Sequence, residues 1–261
     1  MSTSHQPHQD EYSFEEVSVL QALWGDGFLS PGGEPHLDAI VGGLNLRDKL
    51  VLDIGCALGG YDLQLARKYG ARVIGVDVET GLIEQGQRRV AAAGLADRVE
   101  LRLIQPGPLP FPAAMFDAVF SKDSWLHIED KAGLFAELFR VLKPGGQLAA
   151  SDWCRQPGPD SPELLYFFEI EGLTYHMAPL AEYVQHLQAA GFVDIRVQDF
   201  HAEYRAMAHE EHRRMQTVLK NSLIARIGEK WTTHYIEDWR AITAILDSGD
   251  LRPSRMWATK P

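Results

Sequence analysis

Cysteine is nearly absent from this 261-residue sequence, since only Cys56 and Cys154 occur. Two cysteines cannot form a disulfide framework, and Cys56 is expected to be a reduced small residue in a glycine-rich loop rather than a nucleophile. Basic residues are also few, with 25 Lys and Arg against 36 Asp and Glu and a formal net charge of -11. Because nucleic acids and anionic membranes are bound through clustered cations, neither is expected as a partner.

The sequence also lacks a long apolar run and an N-terminus in which basic residues precede an apolar segment. We therefore expect no membrane span and no signal peptide, and a soluble protein of the cytoplasm. No metal site is expected. Hydrophobic residues make up 45% of the chain, which suits one α/β domain with insertions.

Apolar strands and amphipathic helices alternate along most of the chain. Strands are predicted over residues 50–54, 72–76, 99–104, 118–121, 147–152, 193–198 and 256–259. Helical patterns over residues 61–68, 81–93 and 134–142 separate several of them. This alternation implies right-handed crossovers, so the predicted fold class is α/β, with a Rossmann-like, doubly wound, seven-stranded and mostly parallel sheet.

Three stretches fall outside the alternation. A helical pattern over residues 13–23, followed by a glycine-rich loop, predicts an N-terminal helical lid formed by residues 1–34. Residues 35–261 are predicted to form the main domain. Helical insertions are expected within it at about residues 157–178 and 202–248.

The most informative segment is residues 50–60, Leu-Val-Leu-Asp-Ile-Gly-Cys-Ala-Leu-Gly-Gly. A glycine turn that joins a first strand to a helix can cradle a nucleotide. Asp53 at its mouth would repel a pyrophosphate but suits the amino group and sulfonium of S-adenosylmethionine. Asp77, which ends the second strand, is expected at ribose hydroxyls, with a helix N-cap as the alternative. Gln105 after the third strand is either an acceptor for an adenine amino group or an ordinary loop amide.

Further segments extend this pattern. Phe-Asp at residues 116–117 precedes the fourth strand, and Leu-Lys-Pro-Gly-Gly at residues 142–146 precedes the fifth. Together with the glycine loop they resemble the class I S-adenosylmethionine-dependent methyltransferases, from about Leu50 to Ser151. Ala57 stands where that family usually has the middle glycine of the loop, which narrows the space beside the cofactor's methionine part.

A tighter resemblance covers nearly the whole chain. Residues 24–33 (WGDGFLSPGG), 121–127 (SKDSWLH) and 257–260 (WATK) are similar to the phosphoethanolamine N-methyltransferases. The resemblance implies an N-terminal helix and loop over the active site. It also implies a catalytic pair, Tyr12 and His127. The cofactor would be S-adenosyl-L-methionine, bound by Ser30, Asp53, Gly55, Ala57, Gly59, Asp77, Val78, Gln105, Pro106 and Lys122.

The chemistry of methyl transfer to an amine accounts for these residue types. An alkyl ammonium must lose a proton before its nitrogen can attack, and His127 titrates in the useful range. A hydroxyl such as that of Tyr12 can hydrogen-bond the nitrogen, and Asp123 can hold its positive charge. The alternatives are a capping or core role for His127 and a turn-capping role for Asp123.

The resemblance does not extend to the residues with which that family binds the phosphate of its substrate. Its arginine position falls on Leu173, its lysine position near Ala241, and two of its tyrosine positions on Glu169 and Trp153, whereas Tyr175 is kept. Trp153, Glu169 and Tyr175 are therefore predicted to bind a cationic amine through charge pairing and cation–π contact. Five arginines elsewhere either replace the lost phosphate contacts or, as we expect, lie on a solvated helical face: Arg205, Arg213, Arg214, Arg240 and Arg255.

We therefore expect an enzyme that transfers methyl groups from S-adenosylmethionine to the nitrogen of a small amine. The candidates are phosphoethanolamine-like compounds, non-phosphorylated amines and amino acids, and the enzyme would be a monomer or homodimer. The closest alternative is a small-molecule O- or S-methyltransferase. Asp53 argues against an NAD-dependent oxidoreductase, and the pair of Tyr12 and His127 argues against a regulatory protein without catalysis.

Overall fold

A computed structural model describes residues 11–261 of the chain. In this range the helices are α1 (Phe14–Trp24), α2 (Gly33–Val41), α3 (Gly60–Tyr69), α4 (Thr80–Ala92), α5 (Lys131–Val141), α6 (Pro162–Glu171), α7 (Leu180–Ala190), α8 (His201–Gln216) and α9 (Lys220–Ser248). The strands are β1 (Leu50–Ile54), β2 (Arg72–Asp77), β3 (Val99–Leu103), β4 (Phe116–Lys122), β5 (Leu142–Arg155), β6 (Val193–Asp199) and β7 (Leu251–Thr259). A short 3-10 helix, Trp125–His127, follows β4.

The strands form one sheet in the order β3-β2-β1-β4-β5-β7-β6. The five strands from β3 to β5 are parallel, and β7 runs antiparallel to both of its neighbours. The predicted Rossmann-like, seven-stranded and mostly parallel sheet is confirmed. The strand order reverses between β1 and β4, and a ligand crevice forms outside the carboxyl ends of parallel strands at such a point.

Two strands are longer than the sequence predicts. Strand β5 begins at Leu142 and β7 at Leu251, and the two pair from Gln147–Thr259 to Arg155–Leu251. The extension of β7 contains polar residues that hide the apolar pattern but are buried in the fold. Arg255 is one of them: it is 3% exposed on β7, pairs with Glu203 and lies over the ring of Phe200, which corrects its placement on a solvated helix.

Helices α1, α6, α8 and α9 pack on one another beside the carboxyl ends of the strands. Their apolar faces share one hydrophobic cluster that includes Trp153 from the extension of β5 and Trp239 from α9. Helix α9 changes direction at Gly228, whose φ of 83° is in the left-handed region that glycine tolerates. This helical layer, called the cap below, closes one side of the crevice. None of the described helices is both long and apolar enough to cross a membrane.

Candidate active site

The glycine loop between β1 and α3 brings the backbone close to neighbouring elements. Gly55 and Gly59 have φ values of 78° and 76°. A Cβ at Gly55 would overlap the side chain of Ser124, so only glycine fits this close approach. Ala57 also adopts a positive φ, of 47°, and its N–H donates to Asp77 Oδ2 at 2.8 Å. That hydrogen bond offsets the strain of an alanine in the position where the resembling family has glycine.

Asp77 joins the glycine loop to the start of α4. Besides the Ala57 N–H, its carboxylate accepts the N–H groups of Val78 at 2.8 Å and Glu79 at 3.0 Å, both at Oδ1. Burial raises the pKa of Asp77, whereas these N–H groups lower it. Helix α4 begins at Thr80, and its N-cap residue is Glu79 rather than Asp77. Asp77 thus fixes the two loops that border the crevice, and its remaining lone pairs can accept hydroxyl groups.

Asp53 lies at the carboxyl end of β1 and is only 2% exposed. Burial, followed by the neighbouring Asp62, raises the pKa of Asp53 well above its usual range. Asp62, in the first turn of α3, has its pKa raised by burial to about 7. Oδ1 of Asp53 has no hydrogen-bond partner among residues 11–261. A buried, unpaired acid oxygen at this point is suited to a positively charged ligand group.

The other predicted cofactor residues have different surroundings. Ser30 is buried, and its carbonyl accepts from the Tyr61 hydroxyl at 3.3 Å. Lys122 is buried at the end of β4, where its ammonium pairs with Asp123 and where burial lowers its pKa. Gln105 and Pro106 are exposed, because β3 ends at Leu103 and the chain turns outward.

A cavity opens between the cap, which includes α1, and the segment after β4. Aromatic side chains line much of it: Tyr12, Trp24, Trp153, Tyr175 and Trp239. Its acidic lining residues are Glu16, Asp123 and Glu171. Neither lysine nor arginine lines it in the part of the chain that the structure describes. The cavity is therefore matched to cations and poorly matched to anions.

His127 lines this cavity from the 3-10 helix after β4. Its Nδ1 lies 2.8 Å from the carbonyl oxygen of Thr174, so Nδ1 carries the donated proton and Nε2 is left as the acceptor. Its ring stacks on that of Tyr175, with centroids 5.2 Å apart. Burial lowers the pKa of His127. The side chain is thus a neutral imidazole with a proton acceptor available at physiological pH.

Lys131 holds His127 in place, and nothing in the sequence pattern pointed to it. Its ammonium is buried and donates to the carbonyl oxygens of Trp125 at 3.1 Å, Ile128 at 2.8 Å and His176 at 2.7 Å. These bonds tie the turn that carries His127 to the loop that carries Tyr175. A single lysine at the start of a helix has no sequence signature that would reveal this role.

Asp123 also lines the cavity, but its carboxylate is already engaged. The Ser151 hydroxyl donates to Oδ1 at 2.8 Å, and the Lys122 ammonium pairs with Oδ2. The φ of Asp123 is 51°, which turns the chain from β4 into the 3-10 helix. Asp123 therefore shapes the turn before His127 and presents only its residual acceptor capacity to a ligand.

The segment just before α1 closes over the same cavity. Tyr12 is half-buried, and burial, followed by Glu16, raises its pKa well above the usual range. Glu11 connects two sides of the crevice: its N–H donates to the Glu79 carboxylate at 3.0 Å, and its own carboxylate accepts the N–H of Thr174 at 3.1 Å. The structure therefore brings Tyr12 and His127, which are far apart in sequence, to one cavity.

The acid on α6 that lines the cavity is Glu171, which corrects the placement of Glu169. Glu169 is exposed and is not among the lining residues. Positions two apart on a helix point about 200° apart, so the two glutamates cannot share a face. The buried positions Leu164 and Phe167 set the helix register and place 171, four residues after Phe167, on the inner face. Trp153 and Tyr175 do line the cavity.

A further buried acid, Glu211 on α8, supports the aromatic wall. Its carboxylate accepts the indole N–H of Trp24 at 2.7 Å and that of Trp239 at 3.2 Å. The two indole rings lie 5.8 Å apart at an angle of 48°. Burial raises the pKa of Glu211 to about 7. Glu211 thus orients two rings of the cavity without lining it.

The remaining arginines predicted on the helices are paired away from this cavity. Arg205 pairs with Asp247, Arg213 with Glu210, and Arg240 with Glu237, while Arg214 donates to the Leu23 carbonyl. These four arginines therefore do not replace the phosphate-binding cations of the resembling family in this cavity.

Comparison with known proteins agrees with this geometry. A family model described as a methyltransferase domain matches residues 52–150, which run from β1 into β5. Phosphoethanolamine N-methyltransferase 1 of Zea mays is 30% identical over 254 residues, or 96% of this chain and 50% of that protein. The resemblance inferred from the sequence is confirmed.

One solved structure and one further relative are also similar to this chain. The structure of Haemonchus contortus phosphoethanolamine N-methyltransferase 2 with phosphomonomethylethanolamine and S-adenosylhomocysteine superposes with a TM-score of 0.87 at 26% identity, over 94% of this chain and 57% of that one. Erythromycin 3''-O-methyltransferase of Saccharopolyspora erythraea is 35% identical over 157 residues, or 56% of this chain and 51% of that protein. This chain spans about half the length of the curated relatives it matches.

Proposed function

We propose that the chain is an S-adenosylmethionine-dependent methyltransferase that acts on the nitrogen of a small amine. The observation that carries the proposal is the position of His127. Its Nδ1 is committed to the Thr174 carbonyl, so Nε2 is an unprotonated acceptor in the cavity that Tyr12 also lines. This cavity adjoins the carboxyl end of β4, the strand that pairs with β1, and in this proposal the cofactor binds beside it at the carboxyl end of β1.

The residues of the glycine loop fit S-adenosylmethionine. Gly55 and Gly59 let the backbone approach a ligand, and the unpaired Oδ1 of Asp53 can accept from its amino group. Asp77 and Val78 would face the ribose, while Ser30 and Lys122 border the site from the other side. The exposed Gln105 and Pro106 would cover the adenine. When bound, the cofactor supplies a methyl group on a sulfonium sulfur, which is an electrophilic carbon.

The side chains of this chain then prepare the amine. Nε2 of His127 takes a proton from the substrate's ammonium, directly or through water, and frees the nitrogen lone pair. That lone pair forms the new N–C bond, and the electrons of the broken C–S bond remain on sulfur. The hydroxyl of Tyr12 hydrogen-bonds the nitrogen, and Asp123 stabilises the positive charge that develops on it. The aromatic walls exclude water from the cavity. They also orient the amine nitrogen toward the methyl carbon, which contributes much of the rate enhancement.

The domain organisation and cellular context extend this proposal. Residues 1–34 would act as the lid and 35–261 as the methyltransferase domain, with helical insertions at about 157–178 and 202–248. Residues 1–10 of the lid lie outside the described residues. The enzyme would work in the cytoplasm as a monomer or homodimer, without nucleic acid or membrane partners.

O-methyl transfer is the second candidate, because a similar protein is named an erythromycin 3''-O-methyltransferase. In that reaction His127 would deprotonate a hydroxyl group instead of an ammonium. The acidic and aromatic lining of the cavity favours the amine, since a neutral hydroxyl gains nothing from Glu16 and Glu171.

The test is a transfer assay with methyl-labelled S-adenosylmethionine and four acceptors: phosphoethanolamine, ethanolamine, dimethylglycine and phenol. We expect label on an amine nitrogen. His127→Ala should lower kcat by about a hundredfold, the usual contribution of a general base. The control is His209→Ala, a change on α8 at an exposed histidine that pairs with Asp247. Label on phenol alone, or tight binding of NAD in calorimetry, would overturn the proposal.

A further inference from the structure

Three carboxyl groups from distant parts of the chain meet beside the cavity. Glu16 on α1 and Glu171 at the end of α6 line it, and Asp238 on α9, 1% exposed, contacts Glu171 through a side-chain hydrogen bond. Oε2 of Glu171 and Oδ1 of Asp238 are buried without a hydrogen-bond partner in the described range. These three residues, called the acid cluster below, are not among the residues that the sequence assigned to the site.

The acid cluster has no compensating cation close to it among the residues from 11 to 261. The charges that act most strongly on Glu16 come from other acids, Glu171, Glu79 and Glu11. Those that act on Asp238 are likewise acidic, with Glu171 first. Buried carboxyl groups without a neighbouring cation are costly for the fold, and a cationic ligand would offset the cost.

The acid cluster lies apart from the group that accepts the proton. The acids that act most strongly on His127 are Glu11 and Asp77, not the members of the acid cluster. A nitrogen bound among these three carboxyl groups would give them the positive partner that they lack, so it would be held in its protonated form, which has no lone pair to attack a methyl carbon. The acid cluster is therefore suited to a part of the substrate that keeps its positive charge throughout the reaction.

We infer that the acid cluster binds a second, non-reacting ammonium group, so that the substrate is a small diamine without phosphate. This inference rests on the proposed N-methyl transfer. One ammonium lies against Glu16 and Glu171, and Asp238 supports Glu171 from behind. The other nitrogen reaches Nε2 of His127, loses its proton there and accepts the methyl group. Tyr12 and Tyr175 lie near the acid cluster, because its charges add to burial in raising the pKa of both hydroxyl groups. Their rings add cation–π contact with the substrate.

The test compares two acceptors of matched size, 1,2-diaminoethane and ethanolamine, with phosphoethanolamine as the third. We expect kcat/KM for the diamine to exceed that for ethanolamine by about tenfold or more, the effect of one close charge pair. Glu171→Gln should lower the diamine value by about tenfold, mainly through KM, and leave the ethanolamine value nearly unchanged. Glu163→Gln, an exposed change on the same helix, is the matched control and should alter neither.

Binding of the same compounds to the S-adenosylhomocysteine-loaded chain, measured by calorimetry, separates this inference from the proposed function. Selective diamine binding that Glu171→Gln abolishes, without turnover of any amine, would support the subsite and refute the methyl transfer. A preference for phosphoethanolamine, or equal losses for both matched acceptors in Glu171→Gln, would overturn the subsite. Glu16→Gln repeats the test at a second residue if the Glu171 variant does not fold, as judged by circular dichroism.

Discussion

Glu16 allows a quantitative test of how the acid cluster affects the fold. It lies in the first turn of α1 with 6% of its surface exposed. Burial, followed by the charge of Glu171, raises its pKa from the ordinary 4.5 to about 8, and Glu79 and Glu11 add to the effect. The folded chain thus holds this proton more tightly than the unfolded chain does. Its contribution to stability is complete below pH 4.5 and is lost as the pH rises through about 8.

The size of this effect follows from the two pKa values. They differ by about 3.5, and one pKa unit corresponds to about 1.36 kcal/mol, which gives a loss of up to about 5 kcal/mol between pH 4.5 and pH 8. Glu16→Gln removes the titrating group but keeps an oxygen that can accept the Ser13 N–H at the start of α1. We expect similar stabilities for the two proteins at pH 5 and a variant several kcal/mol more stable, about 3 or more, at pH 8.

Urea unfolding followed by circular dichroism at several pH values measures this difference. The control is Glu15→Gln, which removes the neighbouring acid from the same first turn of α1 and so matches the change in helix-terminus charge. Glu15→Gln should follow the pH dependence of the unsubstituted protein. Equal loss of stability from pH 5 to pH 8 in the unsubstituted protein and in Glu16→Gln would refute the reasoning.

Three other substitutions test the loops around the site. Asp77→Asn replaces one carboxylate oxygen, an acceptor, by an amide NH2 donor that faces backbone N–H groups. We expect the free energy of unfolding in urea to fall by about 2 kcal/mol and S-adenosylhomocysteine to bind more weakly in calorimetry. Unchanged binding would contradict this. Gly60→Ala places a Cβ onto the Gly27 carbonyl, so thermal unfolding should occur earlier than in Gly43→Ala, where the space is open. Lys131→Met removes the donor shared by three carbonyl groups and leaves those of Ile128 and His176 without it, whereas the Trp125 carbonyl keeps the Ile128 N–H. We therefore expect kcat to fall more than KM rises, and an unaltered kcat would show that this lysine does not position the base.

The sequence predicts the sheet and the glycine loop because local patterns specify both. Five parallel strands flanked by helices produce a periodicity that can be read directly, and the loop from Asp53 to Gly60 needs glycine where the backbone turns. The polar ends of β5 and β7 could not be predicted in the same way. Ser254 and Arg255 of β7 read as surface residues, yet both are buried where β7 pairs with β5.

The residues around the reacting atoms were predictable to a smaller extent. The positions of Tyr12, His127 and Asp123 come from resemblance, and the cavity does bring the three side chains together. The roles of Lys131 and Glu211 depend on contacts between segments distant in sequence, which no local spacing encodes. They become visible only when the cap is packed against the sheet.

Glu169 was expected in the cavity, but it is exposed, and the reason for the difference concerns substrate specificity. An alignment shows which side chain replaces each residue of a known phosphate site, as at Leu173, but it does not show which way a helix turns. Once α6 is placed, its inner acid is Glu171, and it meets Glu16 from α1 and Asp238 from α9. The proposed proton acceptor, His127, follows the carboxyl end of β4, whereas the acid cluster is formed by helices of the lid and the cap. Changes in the lid and cap can therefore alter the charge that a substrate must carry without moving Nε2 of the imidazole after β4.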